Sequence, residues 1–301
     1  MNTDAGIQAG RVTTVMMPTL RSLVAAIVFS LVLTPEVLAV SMPRPDHVVV
    51  VIEENHGYTQ IMDKRNRASY IHALAKRGVL FTESYGVMHP SQPNYLALFS
   101  GSTHGITNDG CPLTFNSDNL ATRLMDRGLS FASFAESLPD AGDVSCRFGA
   151  YQRKHNPASN WQGTRLPAEV NRRLADFPQD LSKLPTVSFV IPNQDNDMHD
   201  GSFVTADEWL KSHLDPYVTW AKTHNSLLIL TWDEDNNQEG NHVVTLLVGP
   251  MVKEGSTSAQ RIDHYSVLRT LLDFYGLPAL GESRDVEAIK GVWKNASQTR
   301  E

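Results

Sequence analysis

The sequence has no excess of positive charge. Its 26 Lys and Arg stand against 33 Asp and Glu, a formal charge of −7 at pH 7. That excludes nucleic-acid binding through bulk charge, which needs clustered Lys and Arg along a phosphate backbone. Any site for a phosphate must be local: a metal, a helix N-terminus or a few cations. Internal repeats and low-complexity blocks are missing too, so neither a repeat array nor a disordered tract is expected. Cysteine is scarce, at two residues. After residue 40 no long apolar run remains, so no transmembrane segment is expected there.

What is present begins with one apolar stretch near the N-terminus. Residues 22–40 read SLVAAIVFSLVLTPEVLAV, interrupted by Pro35 and Glu36 and preceded by Arg11 and Arg21. The small residues at its end resemble a cleavage site. The stretch reads as a secretory signal peptide rather than an anchor. Residues 1–39 are expected to be this leader and residues 40–301 a single domain, secreted or periplasmic and monomeric. Losing Asp4, Glu36, Arg11 and Arg21 leaves the net charge unchanged. Export places Cys111 and Cys146 in an oxidising compartment. Both sit in Gly/Asp/Pro-rich loop sequence, so a disulfide between them is expected.

Beyond the leader, strand-like and helix-like segments alternate. Apolar runs at 47–52, 79–85, 130–135, 186–191, 227–232 and 243–248 read as strands. Residues 69–77, 93–100, 119–127, 207–222 and 264–275 read as helices, several stopped by glycine. Such alternation predicts the α/β class: a three-layer α/β/α sandwich with a mostly parallel central sheet. The segment 139–185 is long and poorly patterned, and is expected to be a functional insertion or lid.

In such sheets the ligand site lies outside the carboxyl ends of the strands. The first strand is followed by Glu54 and Asn55, the second by His89-Pro90-Ser91 and then Asn94. Later strands are followed by Asp195, Asp197 and His199, and by Asp233 and Glu234. Each cluster alone could be a solvated turn. Together they form an acidic set of hard oxygen ligands, Glu54, Asn55, Asp233 and Glu234, suited to a divalent cation such as Mg²⁺, Ca²⁺ or Mn²⁺. Asp195 and His199, four apart, would share a face on one helical turn, as metal ligands or as an acid–base pair. Arg153, Lys154 and His155 could bring cations to a phosphate. His264 opens the last helix; His242 and His104 are weaker candidates. Ser91 has two readings: an N-cap whose hydroxyl accepts a helix N–H, or a nucleophile held where helix N–H groups meet an anion.

The stretches HVVVVIEEN, HPSQPNYLALFSG, RKHNP, LPTVSFVIPNQDNDMHDG, NSLLILTWDEDN and DHYSVLRTLLDFYGLP resemble the bacterial phosphoesterase family of phospholipases C and acid phosphatases, in the alkaline phosphatase superfamily. The resemblance runs from about residue 47 to 278. It implies an alkaline phosphatase-like fold and a metal-dependent phosphomonoesterase, with a phosphoinositide 3-phosphate among the candidate substrates. It implies Ser91 as nucleophile and His199 and His155 as catalytic groups. Glu54, Asn55, Asp233, Glu234 and Asp195 would hold metal, and Asn94, Lys154 and His264 would bind substrate. The departure is His56-Gly57-Tyr58, where larger members read Arg-Ser-Phe after Glu-Asn. A phospholipase C-type phosphodiesterase, a metal-free esterase using Ser91, His199 and Asp195 as a triad, and a secreted binding protein are the alternatives.

Overall fold

The computed structural model describes residues 10, 11, 13–15 and 42–295. The expected leader, residues 1–39, lies almost wholly outside them. By its contacts the chain divides into Met1–Ala39 and Val40–Glu301, and all the elements of secondary structure below belong to the second unit. Among the described residues no helix is long and apolar enough to cross a membrane.

Among the described residues the strands are β1 (His47–Glu53), β2 (Val79–Tyr85), β3 (Phe131–Ala135), β4 (Arg147–Phe148), β5 (Tyr151–Gln152), β6 (Asn171–Arg173), β7 (Val187–Ile191), β8 (Ser226–Trp232), β9 (His242–Val248), β10 (Ser256–Ser258) and β11 (Ile262–Asp263). The helices are α1 (Tyr58–Met62), α2 (Ser69–Arg77), α3 (Ser91–Ser100), α4 (Leu120–Met125), α5 (Phe203–Ala221) and α6 (His264–Phe274). The main sheet runs β10-β2-β9-β8-β1-β7-β3-β6, with β11 also on β2. In this sheet β9 is antiparallel to its neighbours, β2 and β8, and the other pairings are parallel.

The centre of the sheet explains itself from sequence. In β1, Val48 to Ile52 are all buried, an unbroken apolar run as a strand covered on both faces requires. Val48, Val50 and Ile52 pack with α3, α4 and α6, while Val49 and Val51 pack with α2 and α5. This is the expected α/β/α sandwich.

Helix α3 is buried along its whole length, Ser91 to Ser100. Gly101 ends it at φ 74°, its N–H returning to the Ala97 carbonyl. Helix α5 begins at residue 203 rather than 207, because Ser202 accepts the Thr205 N–H as its cap. Asp207, expected at the helix start, instead accepts the Tyr70 and Ile71 N–H groups, both at 2.8 Å, and caps α2.

Segment 139–185, expected as a functional insertion or lid, is built into the domain and carries Lys154 and His155. It supplies the β4–β5 hairpin, the edge strand β6 and buried core residues Ala158, Trp161, Leu166 and Val170. The disulfide Cys111–Cys146, with Cα atoms 5.9 Å apart, joins this segment to the loop after α3. Buried Arg153 repeats the connection, donating to the carbonyls of Leu113 and Val144 at 2.9 and 2.7 Å. Arg153 is thus a structural clamp and does not reach a phosphate. The bridge closes a sequence separation of 35, worth roughly 3–4 kcal/mol in the chain-entropy model. Reducing it should lower the midpoint of thermal unfolding by about 10 °C, given roughly 2–4 °C per kcal/mol in a domain of this size. Scanning calorimetry with and without reductant checks this.

Candidate active site

The carboxyl edge gathers its charges because parallel strands end there together. Strand β9 starts at this edge, so residues 233–241 form a hairpin loop that never leaves it. Asp235 organises that loop, accepting the N–H groups of Asn237, Glu239 and Asn241 at 2.7, 2.6 and 3.1 Å.

Ser91 is the first residue of α3, and the capping position is taken by Pro90. Its side chain accepts no helix N–H. Instead Oγ lies 3.1 Å from Glu54 Oε2 and 3.1 Å from Glu234 Oε1. One hydroxyl proton cannot serve two carboxylates, so this oxygen stands where positive charge is required. The loop that delivers Ser91 is fixed by Asn94. Its Oδ1 accepts the Val87 and Met88 N–H groups, and its Nδ2 donates to the Met88 and Pro90 carbonyls. With all four bonds made internally, Asn94 positions the loop that carries Ser91 and has no bonding capacity left for a ligand.

Around Ser91 the acids converge. Glu54 Oε1 accepts the Tyr95 hydroxyl and lies 3.2 Å from His155 Nε2. His155 Nδ1 lies 3.5 Å from Asp197 Oδ2, and Tyr95 stacks on the His155 ring at 5.2 Å. Asp233 Oδ1 accepts the N–H groups of Asn55 and Glu234 at 3.2 and 2.6 Å. Glu234 Oε2 lies 2.6 Å from His89 Nδ1, out of line for a hydrogen bond, and His89 Nε2 is 3.1 Å from Asp235. Asn55 takes a left-handed φ of 51°, as an asparagine tolerates, which turns the chain off β1.

Asp195 does not join this cluster. The helical turn expected over 195–199 is a loop: Asn193 accepts the Asp195 N–H and Met198 has φ 78°. Asp195 is exposed, and Asp197, two residues on, is buried beside His155. His199 has a side chain 28% exposed, its Nδ1 2.7 Å from Asp200 and its ring 6.4 Å from that of His155. The Ser91–His199–Asp195 triad is therefore not assembled. His264 is also displaced from its expected role. It is buried, with Nε2 2.6 Å from the Asp233 carbonyl, so it props the acidic loop and does not face a substrate. His242 stacks between Tyr58 and Tyr85, and His104 on Phe115. Lys154 does approach: its ammonium lies 2.8 Å from Asp109 Oδ2, beside the Ser91 turn.

Three further residues, Tyr95, His89 and Asp109, join the site without standing out in the sequence. Tyr95 carries a signal, being four residues after Ser91 on the same helix face. His89 carries one too, since it follows the second strand beside Ser91, while Asp109 carries none, because its contacts join distant parts of the chain.

The donor set fits a metal. Ligating atoms of Glu54, His155 and Asp197 lie within 4.8 Å of one another. Asn55 Oδ1, Asp233 Oδ2, Glu234 Oε2, Asp197 Oδ2 and His155 Nε2 are all buried without a well-formed hydrogen bond. Unpartnered buried groups of this kind are costly unless something pairs with them. Carboxylate and amide oxygens with one imidazole suit a hard or borderline divalent cation.

Burial, then the charges of Asp233 and Asp197, pushes Glu54 well above the ordinary carboxylate range. Burial, then Glu234, does the same to Asp233. Burial pushes Glu234 and Asp197 up to about 7 each. Burial, with Lys154 and His199 adding to it, drives His155 well below its usual value and keeps it neutral. These carboxyls bind protons more tightly folded than unfolded. The metal-free protein should therefore be most stable near pH 4–5 and lose stability as pH rises through about 7. A saturating divalent cation should abolish that loss. Thermal unfolding from pH 4.5 to 8, with chelator or with cation, checks both signs.

The fold is of the alkaline phosphatase architecture. A protein of that superfamily from Vibrio parahaemolyticus superposes with a TM-score of 0.55 over 83% of this chain and 72% of its own, at 12% identity. The phosphonate monoester hydrolase from Silicibacter pomeroyi superposes at 0.56 over 81% and 76%, also at 12% identity. The Phosphoesterase family model matches residues 62–278, and the chain belongs to that family of phosphoric ester hydrolases. Among its relatives, the phosphatidylinositol-3-phosphatase of Mycobacterium tuberculosis is 43% identical over 256 residues, 85% of either chain. The phosphate-repressible acid phosphatase of Penicillium chrysogenum is 34% identical over 69% of this chain, which spans about half of the fungal protein (54%).

Proposed function

We propose that the chain is an exported, metal-dependent phosphatase that hydrolyses phosphate monoesters through a phosphoserine at Ser91. The 3-phosphate of a phosphoinositide is its candidate substrate, as the name of the mycobacterial relative suggests. The observation that carries the reading is Ser91 Oγ at 3.1 Å from both Glu54 and Glu234, on the first residue of a buried helix.

A divalent cation held by Glu54, Asn55, Asp233 and Glu234, with Asp197 and His155 alongside, would offset their charge and polarise both the Ser91 hydroxyl and a phosphoryl oxygen. Ser91 Oγ attacks phosphorus in line, and its proton leaves to a flanking carboxylate oxygen. The bond to the alcohol breaks as His199 gives that oxygen a proton. Asp200, 2.7 Å from Nδ1, would take that N–H and leave Nε2 as the nitrogen that carries the exchanged proton. Water then attacks the phosphoserine, giving a proton to the now neutral His199, while the carboxyl that took the serine proton returns it to Oγ, so that inorganic phosphate and the free hydroxyl are released. Lys154 and the first N–H groups of α3 stabilise charge on the phosphoryl oxygens. Tyr95 and His264 hold Glu54 and the Asp233 loop in place.

Ser91→Ala and Ser91→Asn should both abolish turnover of a chromogenic phosphomonoester. Stability should change by less than about 1 kcal/mol, because no capping bond is lost. Activity retained in Ser91→Asn would return Ser91 to a structural role. Glu54→Gln and Asp233→Asn should each lower kcat/KM by roughly a hundredfold or more and weaken cation binding, read by calorimetry. Turnover of a chiral phosphate ester should proceed with net retention at phosphorus, since two in-line displacements each invert it. A preference for diesters of the same alcohol would select the phospholipase C reading.

A further inference from the structure

Helix α3 has ten residues, and its first turn offers backbone N–H groups at Ser91, Gln92 and Asn94, since Pro93 has none. Pro90 provides no side-chain cap. The Gln92 N–H is nevertheless occupied: it donates to Asp109 Oδ1 at 3.0 Å. The other oxygen, Oδ2, lies 2.8 Å from Lys154 Nζ. One carboxylate thus bridges a helix N-terminus and an ammonium, next to Ser91. Those are the two kinds of group that receive a phosphoryl oxygen. The Gln92 carboxamide, 1% exposed, has neither Nε2 nor Oε1 partnered, a further unmet polar group on the same turn.

Asp109 is poorly suited to be a permanent part of that arrangement. Its negative charge adds to an edge already crowded with buried carboxylates. Its side chain is 31% exposed, on a loop with Gly110 beside it and Gly105 at φ 72°. Cys111, two residues on, is tied to Cys146. The carboxylate can leave its partners by local rotation but cannot travel far.

We propose that Asp109 is a built-in competitor for the phosphate site. It holds the Gln92 N–H and Lys154 Nζ in the ligand-free enzyme and yields both to the phosphoryl group of a substrate. It takes them back as inorganic phosphate departs. The residue therefore sets affinity for the product and guards against inhibition by it. The exchange involves hydrogen bonds and an ion pair only. It rests on the reading of Ser91 as a phosphatase nucleophile.

Inorganic phosphate is the probe. Its inhibition constant is measured against hydrolysis of an aryl phosphate by the cation-loaded full chain, as wild type, Asp109→Asn and Asp109→Ala, each with and without Lys154→Met. The Asn variant keeps an acceptor for the Gln92 N–H and loses the charge, so it separates competition from capping. Both Asp109 variants should bind phosphate about tenfold more tightly, a gain of about 1.4 kcal/mol, with KM and kcat falling together as release slows. Lys154→Met should weaken phosphate binding in either background. Unchanged or weaker phosphate binding in Asp109→Asn and Asp109→Ala overturns the proposal and leaves Asp109 a positioner of Lys154. Calorimetric titration of phosphate into the same proteins gives the affinity without turnover. Tighter binding there in a protein that hydrolyses no aryl phosphate would sink the phosphatase reading and leave the competition standing.

Discussion

Repulsion among buried carboxyl groups is the constraint around which this molecule is arranged. Glu53, Glu54, Asp197, Asp233 and Glu234 are each at most 5% exposed at one edge of one sheet. Burying charge of one sign is among the least favourable things a fold can do. The cluster persists because strands β1, β7 and β8 are held in register by an apolar core on both faces. The core fixes where the strands end, and the acids go where the strand ends are. The site is thus a strained product of a stable scaffold, as binding centres for cations commonly are.

The surrounding polar residues act to hold this arrangement still. Asn94 ties down the turn before Ser91, Asp235 shapes the hairpin after β8, and His264 props the Asp233 carbonyl. Glu136 accepts from Asn193, Asn196 and Trp209, and so anchors the loop that carries Asp197. None of these is exposed at the reacting centre, yet each sets the direction of a group that is. The bridge of Cys111 and Cys146, with Arg153 parallel to it, does the same for the two loops flanking Ser91.

Much of this is legible in the chain itself, for physical reasons. The strands β1, β7, β8 and β9 announce themselves because a strand covered on both faces is almost wholly apolar, and β2 by its opening run Val79-Leu80-Phe81. Their carboxyl ends then name Glu54, Asn55, Ser91, Asp233 and Glu234 as neighbours. Short elements are not legible: β6, β10 and β11 exist only through pairing with distant strands, and α1 has five residues. Asp195 is preferred to Asp197 only if helical spacing holds over 195–199, and that segment is a loop. Asn94, His264 and Arg153 stand out for their chemistry, but whether a polar side chain faces a ligand or its own backbone is decided by tertiary contacts. Asp109 illustrates the same limit, since nothing local connects it to Gln92 or Lys154.

Helix α3 has a further consequence through its complete burial. A surface helix can slide, tilt or fray, but one enclosed on every side exchanges its interior amide hydrogens only when the domain opens as a whole. Ser91 is thus held in one position at the mouth of the helix, and the orientational entropy of its side chain is removed at folding rather than at binding. Discrimination must reside in the rim, in the loops around residues 105–112, 139–152 and 193–201. Those loops can be exchanged or lengthened without disturbing the Ser91 oxygen, so the rim of the site can evolve separately from its buried centre.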